Sequence, residues 1–265
     1  MYDASLEFIG TATTVLRLGP FTLLTDPNFL HRGQYAYLGK GLVSRRRSEP
    51  ACQPDALPEL DGIVLSHLHG DHFDRVARRE LDRDLPVLTT PAAERRLRQW
   101  GFRAAQGMDT WEATILGRDD WTLTITSVPG VHGPGPVRRL MPPVMGSLLE
   151  LQQGSGPVHR TYLSGDTLYR PWLREVVERA GALDAAVLHL GGTRVLGVLL
   201  TMDARQGVQL TSDLAAGVTV PIHYDDYGVF RSPIADFHAA CAERGLAAGV
   251  RHVERGQRVR LTPPS

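Results

Sequence analysis

A chain of 265 residues with a hydrophobic fraction of 42% has the length and apolar content for a sizeable globular core. Its 29 basic and 29 acidic residues cancel to a formal net charge of zero, so no global field draws in nucleic acid or an anionic membrane, which counts against a nuclease. Cys52 and Cys241, the two cysteines, stand in no CxxC pair, which removes a thiolate zinc site and a disulfide framework.

In chain order, short strands are expected near Leu6 to Gly10, Thr13 to Leu18 and Phe21 to Thr25, separated by Gly and Pro. The opening Met1 to Ser5 lacks a basic n-region and an apolar h-region, and nothing later approaches the length of a membrane span, so a cytoplasmic location is the expectation. The third strand runs into Asp26-Pro27, which reads equally well as an ordinary turn start. A long connection from Pro27 to about Pro58 follows, with His31, Arg32, Tyr35, Tyr37 and the run Arg45-Arg46-Arg47. The apolar run Gly62 to Leu65 then enters His67-Leu68-His69-Gly70-Asp71-His72, where four metal-binding side chains fall within six residues. Strands recur at Pro86 to Thr89, Thr122 to Val128, Gly146 to Gln152, Thr161 to Ser164 and Ala185 to His189. Helical patterns cover Pro91 to Trp100, Pro171 to Ala180, Asp203 to Leu214 and Pro233 to Arg244, several opening at Pro or Asp. Three strand-like runs lead to a single ligand-type residue: Thr122 to Val128 to His132, Thr161 to Leu163 to Asp166, and Val218 to Ile222 to His223. No repeat or linker divides the chain, and residues 1–265 are read as one domain.

Neutral imidazole and ionised carboxylate are what a borderline cation such as Zn²⁺ accepts, and a turn lets consecutive residues converge on it. Gly70 is expected to supply the freedom to turn. The HxH spacing lets His67 and His69 share one ion, while Asp71 and His72 are offset toward a second. With His132, Asp166 and His223 the set reaches seven ligands.

The order HxHxDH, then a lone His, a lone Asp and a lone His resembles the metallo-β-lactamase superfamily. Leu24-Thr25-Asp26-Pro27, Val128-Pro129, Leu163-Ser164-Gly165-Asp166-Thr167 and Pro221-Ile222-His223-Tyr224 are similar to its branch of ascorbate-6-phosphate lactonase-like and N-acylphosphatidylethanolamine phospholipase D-like hydrolases. The resemblance spans about residues 5 to 240 and implies an α/β fold, a four-layer αββα sandwich. It further implies that His67, His69 and His132 hold one metal, that Asp71, His72 and His223 hold the other, and that Asp166 bridges them. A hydroxide shared by metals about 3.5 to 4 Å apart becomes a nucleophile near neutral pH. Asp71 is the expected catalytic carboxylate, orienting that hydroxide or taking its proton, and Asp26 is expected behind the ligands, hydrogen-bonded to one of the histidines.

The function expected is that of a metal-dependent hydrolase, a lactonase or phosphodiesterase, acting on an ester-like bond of a small, anionic substrate. Two divalent ions serve it, zinc first, with manganese or iron able to compete for the oxygen ligands. Arg138 and the Arg45–Arg47 run are candidate anion contacts, against the reading of solvated surface. Tyr224 is a candidate oxyanion donor, against a packed strand-end aromatic, and His31 is a candidate pocket residue. His189 reads as a hydrogen-bonded histidine near the core, and His159, His238 and His252 as surface residues. Val195 to Leu200 would cover a core or a subunit contact, which leaves a homo-oligomer open. Two rivals are kept: a non-catalytic metal-bearing binding or regulatory module, which would retain a trapped ligand, and a nucleic-acid phosphodiesterase, which would need a basic track and steep salt dependence.

Overall fold

The computed structural model describes residues 2–262. The N-terminal strands are β1 (Ala4–Gly10), β2 (Thr13–Leu18) and β3 (Phe21–Thr25), followed by a small hairpin of β4 (Tyr35–Tyr37) and β5 (Val43–Arg45). Next come β6 (Gly62–Val64), α1 (Arg75–Glu80), β7 (Val87–Thr89), α2 (Pro91–Gln99) and β8 (Ala105–Gly107). The middle of the chain forms β9 (Ala113–Arg118), β10 (Trp121–Pro129), β11 (Met145–Gln153), β12 (His159–Leu163), α3 (Glu175–Ala180) and β13 (Ala185–His189). A short hairpin of β14 (Arg194–Val195) and β15 (Val198–Leu199) precedes α4 (Ala204–Leu214), β16 (Val218–Ile222), α5 (Ile234–Glu243) and β17 (Arg258–Arg260).

Alternation along the strands builds two sheets. One has the order β17-β1-β2-β3-β6-β7-β8, the other β16-β13-β12-β11-β10-β9. In β1, Leu6 and Phe8 point between the sheets while Ile9 joins the opposite face. In β10, Leu123 and Ile125 point inward, with threonines at the positions between them. The inner layer of Leu6, Leu16, Leu23, Leu149, Val187 and Val220 is almost wholly excluded from solvent. Outside the first sheet, Val76 and Ala77 of α1 and Leu97 of α2 cover Val15, Leu24 and Ile63. Outside the second, Val176, Val208, Leu210 and Phe237 of α3, α4 and α5 cover Tyr162, Ala186 and Leu188. The layers run helix, sheet, sheet, helix: the mixed α/β sandwich that the resemblance implies.

Strand direction collects the site. β11 is antiparallel to both β10 and β12, and β12, β13 and β16 are mutually parallel, so β10, β12, β13 and β16 all end at one edge. In the facing sheet β3 and β6 are parallel and finish beside each other, Thr25 opposite Val64.

Two expectations change. His159 is not at the surface: it lies in β12 at 1% exposure, its Nε2 3.0 Å from Thr161 Oγ1 and its ring 5.8 Å from that of Tyr2. Val195 to Leu200 covers the core only at Leu200, 4% exposed; at its tip Leu196 is 99% exposed on a hairpin whose two strands pair only with each other, which leaves the subunit-contact alternative as it was.

Candidate metal centre

After β6 the chain folds back on itself, the amides of His72 and Phe73 both donating to the His69 carbonyl at 3.0 and 2.8 Å. Gly70 does not take a positive φ. A Cβ there would stand 2.7 Å from both N and O of Tyr37, so close approach of β4 requires the glycine, rather than the freedom to turn expected from sequence. Asp74 caps α1 by accepting from the Ala77 amide at 2.8 Å and also takes the amides of Phe29 and Leu30 at 2.5 and 2.6 Å. The segment after β3 and the histidine-rich loop are thereby fastened together.

His67, His69 and His132 form one group whose ligand atoms all lie within 4.8 Å of one another. Asp71, His72 and His223 form a second, and Asp166 meets His67 and His72 in a third that lies between them. Asp166 Oδ2 is 3.3 Å from His72 Nε2, Asp166 Oδ1 is 3.5 Å from His223 Nδ1, and Asp71 Oδ2 is 3.6 Å from His223 Nε2. Outer partners set ring orientation: His132 Nδ1 faces the Leu200 carbonyl at 3.0 Å, and His223 Nδ1 faces that of Leu190 at 3.3 Å. His223 carries φ +62, and the Thr11 carbonyl holds its amide there at 2.8 Å. Left-handed backbone at a β-strand end is strain of about 1–3 kcal/mol that the surrounding contacts must hold.

Behind this group lies Asp26, whose carboxylate accepts from the Ser66 amide at 2.7 Å and the Ser66 hydroxyl at 2.9 Å. The same carboxylate sits 3.1 Å from His72 Nδ1 and 3.3 Å from His189 Nε2. His189 therefore belongs to a fourth group, with Asp26 and His72. Sequence offered only its strand-end position as a signal, because its partner Asp26 lies on the opposing sheet.

Charge and solvation test whether the residues fit metal ions. Burial pushes the His67 imidazole well below its ordinary value and that of His69 down to about 3, leaving both neutral and ready to ligate. Burial alone would raise the Asp26 carboxyl, but His72 and His189 outweigh it and bring the group down to about 2. His72 and His223 go the other way: burial lowers them, yet Asp166 and the neighbouring carboxylates outweigh it and hold both above the usual imidazole range. Positive charge on those two rings offsets only part of the charge of Asp26, Asp71 and Asp166, which leaves room for a cation. Buried Asp71 Oδ1, His72 Nε2, Asp166 Oδ1 and His223 Nε2 all lack a hydrogen-bond partner. Four orphaned polar atoms around one point would be costly in an apolar interior and are what a divalent ion satisfies.

The other sequence candidates lie elsewhere. The Tyr224 ring packs against Phe8 and His252 at 6.4 and 6.2 Å, and the charges that act on its hydroxyl are those of Asp225, Arg255, Asp226 and Glu254, none of them in the cluster. The ring is packed at the strand end, the alternative weighed against an oxyanion donor. His31 is exposed and pairs with Glu49 at 2.9 Å. Arg46 is 1% exposed and donates to the carbonyls of Asn28 and Ser48 at 2.9 and 3.1 Å, so it is neither solvated nor available to a substrate anion. Arg138 lies on the exposed 3-10 turn Gly135–Leu140 that follows His132.

A family model described as beta-lactamase superfamily domain matches residues 22–224, from β3 through the last of the clustered histidines. The chain belongs to the metallo-β-lactamase superfamily. An uncharacterized protein of Mycobacterium tuberculosis is 27% identical over 99% of this chain and 71% of its own length. Two solved structures share the fold. One is described as a possible metal-dependent hydrolase from Veillonella parvula, with a TM-score of 0.81, 20% identity, and 97% of this chain and 99% of that one covered. The other is an isothiocyanate hydrolase from Delia radicum gut bacteria, with a TM-score of 0.82, 19% identity and the same coverage. Superfamily, fold and side-chain cluster together support a metal-dependent hydrolase.

Proposed function

We propose that this member of the superfamily is a dinuclear hydrolase in which His67, His69 and His132 hold one divalent ion, Asp71, His72 and His223 hold the other, and Asp166 serves both. Four buried atoms of Asp71, His72, Asp166 and His223 carry the reading, since none of them makes a geometric hydrogen bond among the described residues although carboxylates and imidazoles crowd together there. Two cations, when bound there, would supply an acidified water for attack and positive charge for a developing oxyanion. Asp71 is the general base: its Oδ1 has no protein partner, while its Oδ2 lies near His223 Nε2. Ser66 fixes Asp26, and Asp26 holds the His72 ring so that its Nε2 faces Asp71 and Asp166. Zinc is the first choice for this histidine-rich set, with manganese or iron as competitors.

The substrate falls among ester-like compounds, a lactone or a small phosphodiester, in line with the lactonase-like and phospholipase D-like branch whose wording the motifs share. The test is a screen of homoserine and sugar lactones, bis-p-nitrophenyl phosphate and nitrocefin, with chelated protein and with metals restored one at a time. Turnover of a lactone or the phosphodiester that chelation abolishes and metal restores is expected. Inactivity on every compound with two ions bound would overturn the hydrolase reading in favour of a binding module.

A further inference from the structure

The two arginine runs of the sequence have different fates. The first is spent on architecture through Arg46, whereas Arg138 and Arg139 line a cavity of about 470 Å³ together with Arg170, Trp172 and Val131. Arg170 lies more than 30 positions from the pair and does not read as an anion contact from sequence. Two links join the walls of this cavity: the Val131 amide donates to Thr167 Oγ1 at 2.9 Å, and the Leu168 amide donates to the Val131 carbonyl at 2.8 Å. The segment bearing Val131 continues directly into His132, and the one bearing Arg170 and Trp172 follows directly on Asp166. Cavity and metal centre are therefore built from the same pair of loops.

Some arginines of the chain are matched to acids, as Arg17 is to Glu7, Arg103 to Asp84, Arg118 to Asp61 and Arg160 to Glu150, while others, such as Arg95 on α2, stand singly at the surface. Among the described residues, Arg138, Arg139 and Arg170 have no carboxylate within ion-pair distance, and the one side-chain hydrogen bond of the three is from Arg170 to the Tyr169 carbonyl at 2.9 Å. Three arginines thus line one open pocket without an acidic partner among the described residues. An anion supplies the missing counter-charge, and the guanidinium fork suits a group presenting two or three oxygens. Trp172 adds an apolar face beside the charges.

Resting on the hydrolase reading, we infer that this cavity is the subsite for an anionic, multi-oxygen group of the substrate, held apart from the bond that is cleaved. The substrate class is an ester-like compound bearing a phosphate-like oxyanion or a carboxylate remote from the reacting centre. Arg138 and Arg170 are specificity-determining residues that touch the anion, not the reacting atoms.

The test separates this subsite from the metals. Inorganic phosphate, sulfate and acetate are titrated calorimetrically into chelator-stripped protein, in the wild type and in Arg138→Ala, Arg170→Ala and Arg95→Ala, the last an exposed arginine on α2. Binding of phosphate or sulfate, weakened about tenfold in R138A and in R170A and unchanged in R95A, is the result expected for a phosphate-like group. Preference for acetate with the same dependence on the two arginines assigns a carboxylate. Absence of binding for all three anions, or equal affinity in all variants, overturns the subsite. Melting curves for each variant exclude unfolding as the cause. A second measurement compares metal-loaded wild type on an aryl ester bearing a carboxylate or phosphate and on its uncharged counterpart, with a lower KM expected for the charged ester. Equal KM values with both esters hydrolysed overturn the subsite and leave the hydrolase standing. Arginine-dependent binding without hydrolysis of any ester does the reverse.

Discussion

At the scale of single residues, the account turns on how far each buried group depends on its neighbours. Asp26 touches no proposed metal directly, yet it fixes the His72 ring and anchors Ser66, so Asp26→Asn should weaken metal binding about 10- to 100-fold. Competition against a chromophoric chelator measures this, and an unchanged affinity would contradict the role given to Asp26. His159 allows a cleaner pH experiment because it lies outside the metal centre. Burial depresses its folded-state value below the ordinary 6.5, although Asp184 opposes the shift. A depressed histidine contributes stability that is complete above its unfolded value and is lost as the pH falls through the folded one. Wild type should therefore lose stability faster than His159→Gln as the pH drops below about 6.5, while acid-driven metal loss, common to both, cancels in the comparison. Parallel melting temperatures for the two proteins across that range would show that His159 bears no such cost.

Elements place these residues, and here sequence and structure part company in a consistent way. The histidine-rich stretch was legible because four ligand types crowd one turn, and His132, Asp166 and His223 were legible because each closes an alternating or apolar strand. The long strands and the three longer helices, α2, α4 and α5, follow from the same periodicities. The α1 helix was not legible: six residues, three of them arginine, bury only Val76 and Ala77, too little for a helical stripe. Strand β9 has no buried residue, so an edge strand leaves no alternating signature. The polar network beneath the site was illegible for another reason, since its partners are remote in sequence. Asp226 accepts from the Thr11 amide at 2.5 Å, and Tyr227 donates to Asn28 Oδ1 at 3.0 Å. Asn28 Nδ2 donates to the Gly70 carbonyl at 2.9 Å, and Arg46 closes the set on Asn28. Removing that guanidinium leaves several buried acceptors unsatisfied, so Arg46→Ala should cost about 3 kcal/mol in chemical denaturation. A loss below about 1 kcal/mol would mean that water replaces the side chain without penalty.

For the whole molecule, the sandwich explains why residues from six strand ends meet at one edge. The inner layer is apolar on both faces, whereas the edge where β3, β6, β10, β12, β13 and β16 finish gathers three carboxylates and the histidines. On the proposed function, such an edge would be held together by ions as well as by packing. Metal binding to the folded state alone stabilises it by mass action, so stripping with chelator should lower the melting temperature, and restoring metal should raise it in a concentration-dependent way. No helix among the described residues is long and apolar enough to cross a membrane. The paired centre is examined most directly by elemental analysis of purified protein and two variants, His132→Ala and His223→Ala, each removing one ligand from a different group. The account predicts two divalent ions per chain in wild type and close to one in each variant, with the remaining ion held by the untouched group. One ion in wild type, or two in both variants, would contradict it.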